Sequence, residues 1–279
     1  MSFEIGEYEV GNDSEFFLIA GPCVIESEDH VLTMAAELKE IAQRQNVDLV
    51  FKSSFDKANR SSIESYRGPG LERGLEILQR VKDEYNLPVI TDFHTPDQAE
   101  RVAEVVDMLQ VPAFLSRQTD MLVAAGETGL PVHVKKGQFV SPEGMENVIS
   151  KVESAGNERV LLCERGALFG YNNLVVDMRN LDIMKKLGKP VVFDATHSVQ
   201  RPGSKGDESG GDRRFAPTLA RSALAAGVAG IFAEVHNNPQ AAKCDAATQL
   251  PLEEFESHLE RWTNIDSLLK HEDAELSYE

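Results

Sequence analysis

Apolar residues along the chain gather into eight short runs, each bounded by polar or turn-forming positions and rich in β-branched side chains. They are FFLIA at 16, DLVFK at 48, PVITD at 88, DMLQ at 107, PVHVK at 131, RVLLCE at 159, PVVFD at 190 and GIFAEV at 230. Runs of this length and composition predict buried strands. Between them the apolar positions recur at the spacing of a helical turn, which predicts helices over 31–43, 71–85, 96–105, 120–128, 142–154, 173–187, 217–226 and 252–269. Strict alternation of strands with helices over this length predicts an α/β fold, a (β/α)8 TIM barrel. The opening FEIGEYEVG predicts an additional N-terminal β-hairpin within residues 1–12. No Pro-rich linker, charge block or fixed-period repeat divides the chain, so 1–279 reads as a single barrel domain.

The ends of these strands direct attention to chemistry. Gly21, Pro22 and Cys23 follow the first; Lys52 and Ser53 the second; Asp92 and His94 the third; Gln110 ends the fourth. Lys135 and Lys136, Glu164 and Arg165, Asp194 and His197, and Glu234 and His236 complete the series. Loops are polar anyway, and two or three such ends would mean nothing. All of them together, mixing cations with metal-ligand types, predict a functional mouth at the C-terminal face, where barrel active sites sit.

Charge sharpens that expectation. With 46 acidic against 28 basic residues and a formal charge of -18, the chain has no general attraction for nucleic acid or for an anionic membrane. No apolar run approaches the ~18 residues of a membrane span, and residues 1–11 lack the basic and apolar segments of a signal peptide. Three cysteines, Cys23, Cys163 and Cys244, are too few for a disulfide framework and fit a reducing compartment. A soluble, cytoplasmic protein is expected. Any anion it binds must be held by a local cluster, and Lys52, Lys57, Arg60, Arg117, Lys135 and Arg165 supply one. So many cations suit two anionic small molecules joined or exchanged at one site. Lys136, Arg67 and Arg101 read as solvated surface charges.

A second group, Cys23, His197, Glu234 and Asp245, with His94, His236 and Cys244 as competitors, offers a thiolate, an imidazole and carboxylates. Such donors suit a borderline divalent ion: zinc, iron, manganese or cobalt. The segment 198–214 is long and rich in Gly and Ser, and it leaves the mouth beside both groups, which predicts a lid over substrate. No P-loop pattern occurs, so nucleotide hydrolysis is not indicated.

The motifs GPCVIES at 21, FKSSFDKANRSS at 51, PVITDFH at 88, LQVPAFLSRQTD at 109, VKKGQF at 134, LLCERG at 161, FGYNNLVVDMR at 169, FDATHS at 193 and FAEVHNNP at 232 together resemble the 3-deoxy-D-manno-octulosonate 8-phosphate synthase family. The likeness runs from residue 17 to about 252. KANRSS is the discriminating segment, since the sister 3-deoxy-D-arabino-heptulosonate 7-phosphate synthases typically carry a KPRTS-type segment there.

The resemblance implies condensation of phosphoenolpyruvate with D-arabinose 5-phosphate and water, in lipopolysaccharide inner-core biosynthesis. It implies that Lys52, Lys57, Gln110, Arg117, Lys135 and Arg165 hold phosphoenolpyruvate and that Asn59, Arg60 and Ser61 hold the sugar phosphate. Arg60 and Ser61 would act across a subunit boundary of a homotetramer. It further implies catalytic roles for Lys57, Asp92, His94, Lys135 and His197. Cys rather than Asn after Gly21 and Pro22 marks the metal-dependent class, with Cys23, His197, Glu234 and Asp245 as ligands. Two alternatives stay in view: a heptulosonate phosphate synthase using erythrose 4-phosphate, and a noncatalytic barrel that binds phosphosugars.

Overall fold

The computed structural model describes residues 1–60, 62–168, 173–202 and 210–272. Two strands, β1 (Ser2–Ile5) and β2 (Tyr8–Gly11), pair antiparallel as the expected hairpin. Then β3 (Phe17–Gly21), β4 (Leu49–Lys52), β5 (Val89–Asp92), β6 (Met108–Val111), β7 (Val132–Lys135), β8 (Val160–Glu164) and β9 (Val191–Asp194) follow in parallel register. Two short strands, β10 (Gln200–Arg201) and β11 (Gly210–Gly211), pair with each other beyond β9. The last barrel strand, β12 (Gly230–His236), pairs with both β9 and β3 and closes the ring, and β13 (Leu250–Pro251) extends its end. The fold is a (β/α)8 TIM barrel preceded by a hairpin.

Helices α1 (Glu28–Arg44), α2 (Leu71–Tyr85), α3 (Gln98–Ala103), α4 (Thr119–Glu127), α5 (Met145–Glu153), α6 (Arg179–Lys185), α7 (Ala216–Ala225) and α8 (Leu252–Glu272) follow the barrel strands in turn. Each presents one apolar stripe to the sheet. On α1 that stripe is Val31, Met34, Ala35, Leu38, Ile41 and Ala42, and the helix starts where Ser27 Oγ accepts the His30 N–H.

Sequence spacing predicts a helix over 173–187, but α6 begins only at Arg179. Val175 is instead held in a bridge with Ala167 through two backbone hydrogen bonds of 2.9 and 3.0 Å, and Asp177 Oδ1 accepts the Arg179 N–H. A side-chain acceptor ahead of the apolar run sets the start, overriding the periodicity.

Alternation along each strand divides the sheet between two cores. The larger lies between sheet and helices. The other fills the barrel interior with Ile19, Val50, Ile90, Met108, Leu161 and Phe232, and Ile5 and Val10 of the hairpin seal it from below. The apolar filling gives way at the C-terminal end to Lys52, Asp92, Gln110, Lys135, Asp194 and Glu234, all buried.

Candidate active site

Of these strand-end side chains, Lys52, Asp92, Gln110, Lys135 and Asp194 border a cleft of ≈ 250 Å³. A close backbone approach shapes one wall: a Cβ on Gly21 would overlap the Lys52 carbonyl, so only glycine lets β3 lie this near β4. Another groove between α3 and α4 is lined by Asp97, Glu100, Glu104 and Glu127 without a lysine or arginine, and does not suit an anion.

The cationic side of the cleft brings together Lys52, Lys57, Asn59, Arg60, Gln110, Lys135 and Arg165. Charges this deeply buried need partners. Lys52 Nζ donates to the Cys23 carbonyl at 2.9 Å and to Glu234 Oε1 at 3.1 Å, while Lys57 Nζ lies 4.0 Å from the same carboxylate oxygen. Lys135 Nζ donates to Asp194 Oδ2 at 2.5 Å and sits over the Phe232 ring. Burial alone would raise Glu234, but His197, Lys52 and Lys57 hold it down at about 2. Burial also opposes the charge on Asp92, yet the hydrogen bond from His94 and the Lys57 cation keep it well below the usual carboxylate range. Lys57 is likewise pushed well above lysine's ordinary value, burial being outweighed by Cys23, Cys244, Glu234 and Asp92. Arg165 donates from Nη2 to Gln200 Oε1 at 2.8 Å, but its buried Nη1 has no hydrogen-bond partner among the described residues. An unmet guanidinium donor at the cleft wall suits an incoming anion.

Across the cleft, the predicted metal-ligand residues fall into two groups that share Asp245, one with His197 and Glu234 and the other with Cys23 and Cys244. His197 Nε2 lies 3.5 Å from Glu234 Oε1 and 3.8 Å from Asp245 Oδ2, and Cys23 Sγ lies 3.4 Å from the same Asp245 oxygen. Tetrahedral bonds of ~2.0–2.3 Å require ligand-to-ligand edges of about 3.3–3.8 Å, so the His197–Glu234, His197–Asp245 and Cys23–Asp245 separations each suit a divalent ion, while Cys23 does not group with both His197 and Glu234. Glu234 Oε2 is buried without a hydrogen-bond partner among the described residues, a further free acceptor. Asp245 takes a left-handed backbone (φ 46°), which aspartate tolerates, and Gln200 Nε2 holds its Oδ1 at 3.2 Å so that Oδ2 faces the sulfur and imidazole. Burial, with Cys244 and Glu234 nearby, pushes the Cys23 thiol well above its usual value; a bound cation would reverse that and favour thiolate.

His197 is oriented for the same purpose. Asp194 is held charged: burial opposes it, but His197, Lys135 and Arg165 lower it well below its usual range. Its Oδ2 therefore accepts from His197 Nδ1–H at 2.8 Å, and Oδ1 accepts the His197 backbone N–H at 2.9 Å. That tautomer leaves a bare Nε2 lone pair facing Glu234 and Asp245.

Other expectations come out differently. Arg117 is exposed and does not line the cleft; its carbonyl accepts from Lys151 Nζ at 2.7 Å. Lys136, expected on the surface, is buried, because Val140 O accepts from its ammonium at 3.1 Å and Glu164 Oε1 lies 3.5 Å away. Arg67 and Arg101 are surface charges as expected, paired with Asp56 and with Glu72 and Glu104. Arg60 Nη1 donates to Cys244 Sγ at 3.0 Å. His94 stands behind Asp92, its Nε2 3.1 Å from Asp92 Oδ2. His236 forms a separate group with Glu26 and His30.

Residues the sequence did not single out also line the cleft: Phe114, Gln138 and Gln200. Gln200 sits just past His197 in the lid segment, the one signal that could have marked it. The ends of that segment are joined by β10 and β11, while 203–209 lie outside the described residues, as do Ser61 and 169–172 of the FGYNNLVVDMR motif.

Fold and site define the class: a (β/α)8 barrel whose C-terminal mouth sets buried cations opposite a thiol, imidazole and carboxylate donor set. Residues 3–271 match the DAHP synthetase I family, and the chain belongs to that family. It is 59% identical over 259 residues to the 2-dehydro-3-deoxyphosphooctonate aldolase of Desulfatibacillum aliphaticivorans, covering 92% of this chain and 95% of that protein. The protein of the same name from Syntrophotalea carbinolica is 52% identical over 269 residues, 96% and 97% of the two chains. That from Geobacter sulfurreducens is 53% identical over 266 residues, 95% and 98%.

Proposed function

We propose that this chain condenses phosphoenolpyruvate with D-arabinose 5-phosphate and water, giving 3-deoxy-D-manno-octulosonate 8-phosphate and inorganic phosphate. The observation that carries the reading is the convergence of Lys52, Lys57, Lys135 and Arg165 with Asn59 and Arg60 on one cleft, in a chain whose near full-length relatives bear the octonate aldolase name.

The methylene carbon of phosphoenolpyruvate attacks the sugar aldehyde, and water adds to the neighbouring carbon. Phosphate then leaves as the carbon–oxygen bond breaks and the ketone forms. Two phosphorylated molecules brought to bonding distance repel one another, and fixed cations offset that repulsion without reorganising during the reaction. Lys52, Lys57, Gln110, Lys135 and Arg165 hold phosphoenolpyruvate; Arg117, exposed and outside the cleft, does not share that role. Asn59, Arg60 and Ser61 hold the sugar phosphate. Asp92, buffered by His94, lies between the two. Lys135, joined to Asp194, carries a proton beside the reacting atoms.

Cys23, His197, Glu234 and Asp245 hold a divalent ion, which when bound polarises a water or substrate hydroxyl. The protein's part is to keep His197 Nε2 bare and the Asp245 and Glu234 oxygens aimed inward. The chain acts as one catalytic domain in the cytoplasm, as a homotetramer, supplying lipopolysaccharide inner-core synthesis.

The test offers phosphoenolpyruvate with arabinose 5-phosphate or with erythrose 4-phosphate to the purified chain and follows inorganic phosphate. Release with the five-carbon sugar is expected. Preference for the four-carbon sugar would make it a heptulosonate phosphate synthase, and no release with either would leave a binding barrel.

A further inference from the structure

Below Lys135 on the inner face of β7 lies His133, wholly buried in a barrel interior otherwise filled by apolar side chains. Its neighbour across the sheet is Gln110 of β6, its register partner. His133 Nδ1 is 3.2 Å from Gln110 Oε1. A carbonyl oxygen only accepts, so Nδ1 must carry the proton and donate. The ring lies near parallel to Phe232 (12° between planes, centroids 6.2 Å apart), which fixes its orientation. Gln110 borders the cleft.

We propose that His133 is a positioning residue that sets the polarity of Gln110, anchoring its carbonyl to the barrel interior so that the NH₂ faces the anion. This rests on the reading that phosphoenolpyruvate binds beside Gln110. A glutamine amide has two orientations of nearly equal shape and opposite polarity. Turned the other way it would present a carbonyl oxygen to a phosphate or carboxylate, which is repulsive. A single donor behind the amide removes the ambiguity before substrate arrives. Burial and the Lys135 cation push the imidazole well below its ordinary value, so the ring stays neutral and keeps one tautomer. His133 Nε2 has no hydrogen-bond partner among the described residues, so none of them stabilises the opposite tautomer.

The experiment has two arms. In the first, the nitrogen-15 spectrum of histidine-labelled wild-type protein, assigned by difference with His133→Asn, reports which ring nitrogen bears the proton; Nδ1 is expected. In the second, His133→Leu is expected to raise KM for phosphoenolpyruvate about tenfold, the effect of one lost or misdirected hydrogen bond. Its KM for arabinose 5-phosphate and its kcat should stay within about threefold. His133→Asn, whose amide can donate from the same place, should restore KM to within about twofold of wild type. A proton on Nε2, an unchanged KM in His133→Leu, or a His133→Asn as impaired as His133→Leu overturns the proposal. If wild type releases no phosphate, the functional reading fails, while the tautomer arm still decides how Gln110 is held. That arm needs no folded His133→Leu protein.

Discussion

Two imidazoles stand near the end of β12, each beside carboxylates, and they are wired in opposite senses. His197 donates Nδ1–H to Asp194, so its Nε2 turns a lone pair towards Glu234 and Asp245. His236 accepts the Asn238 backbone N–H at Nδ1, at 2.9 Å, which puts its own proton on Nε2, 3.3 Å from Glu26. Its neighbour His30, whose ring is tilted 38° to it, has Nε2 3.2 Å from Asn237 Oδ1. The difference shows that ligand type and proximity do not make a metal site. The partner of the far nitrogen decides whether a lone pair or a proton faces the centre.

The largest effect should come from removing the ion. Exhaustive chelation is expected to abolish phosphate release, and zinc, iron, manganese or cobalt to restore it; full turnover in metal-free protein would break the contrast at its root. Next, Asp194→Asn leaves shape intact but removes the acceptor that fixes His197. Metal affinity should fall about 10–100-fold, read by competition with a chromogenic chelator. On the other side, His236→Ala should keep its metal by elemental analysis, while losing about 1–3 kcal/mol of stability from the stranded Asn238 N–H and Glu26. Loss of metal in that variant would mean that both clusters bind it.

The smallest effect concerns acid. Burial would raise Glu26, but His236, whose Nε2 lies 3.3 Å away, and the Lys243 backbone N–H bring it below the ordinary glutamate range. The folded value lies below the unfolded one, so the stabilisation is complete above about 4.5 and is lost as pH falls through the folded value. Unfolding midpoints of Glu26→Gln should therefore decline less steeply than wild type between pH 5 and pH 3. A steeper decline would refute the assigned pairing.

Sequence periodicity carries the barrel well because alternation inside a closed sheet leaves little freedom, and Lys52, Asp92, Gln110, Lys135, Arg165 and Asp194, all named at strand ends, line the cleft. Side-chain partners are a different matter. Lys136 follows Lys135 directly, and nothing in KK says that one reaches the cleft while the other turns to Val140 and Glu164. Arg117 and Arg165 look alike in sequence, but only Arg165 is held in the cleft, by Gln200, 35 positions away. Cys23, Glu234 and Asp245 were recognisable by type and by family motif. The tautomer of His197, which makes the set usable, depends on Asp194 three residues earlier and on the fold that leaves it charged. Helix α6 shows the same limit at the backbone level, since the bridge between Ala167 and Val175 outweighs an apolar pattern that would otherwise be helical.

The pairing of Lys52 with Glu234 and of Lys135 with Asp194 also bears on how fast a ligand arrives. Cations already matched to buried carboxylates project little field beyond the mouth, while the exterior contributes to a net charge of -18. A polyanionic substrate therefore meets repulsion once it comes within roughly one Debye length of the surface, about 8 Å at physiological salt. Added salt should speed its association rather than slow it, the reverse of the usual behaviour of a phosphate-binding protein.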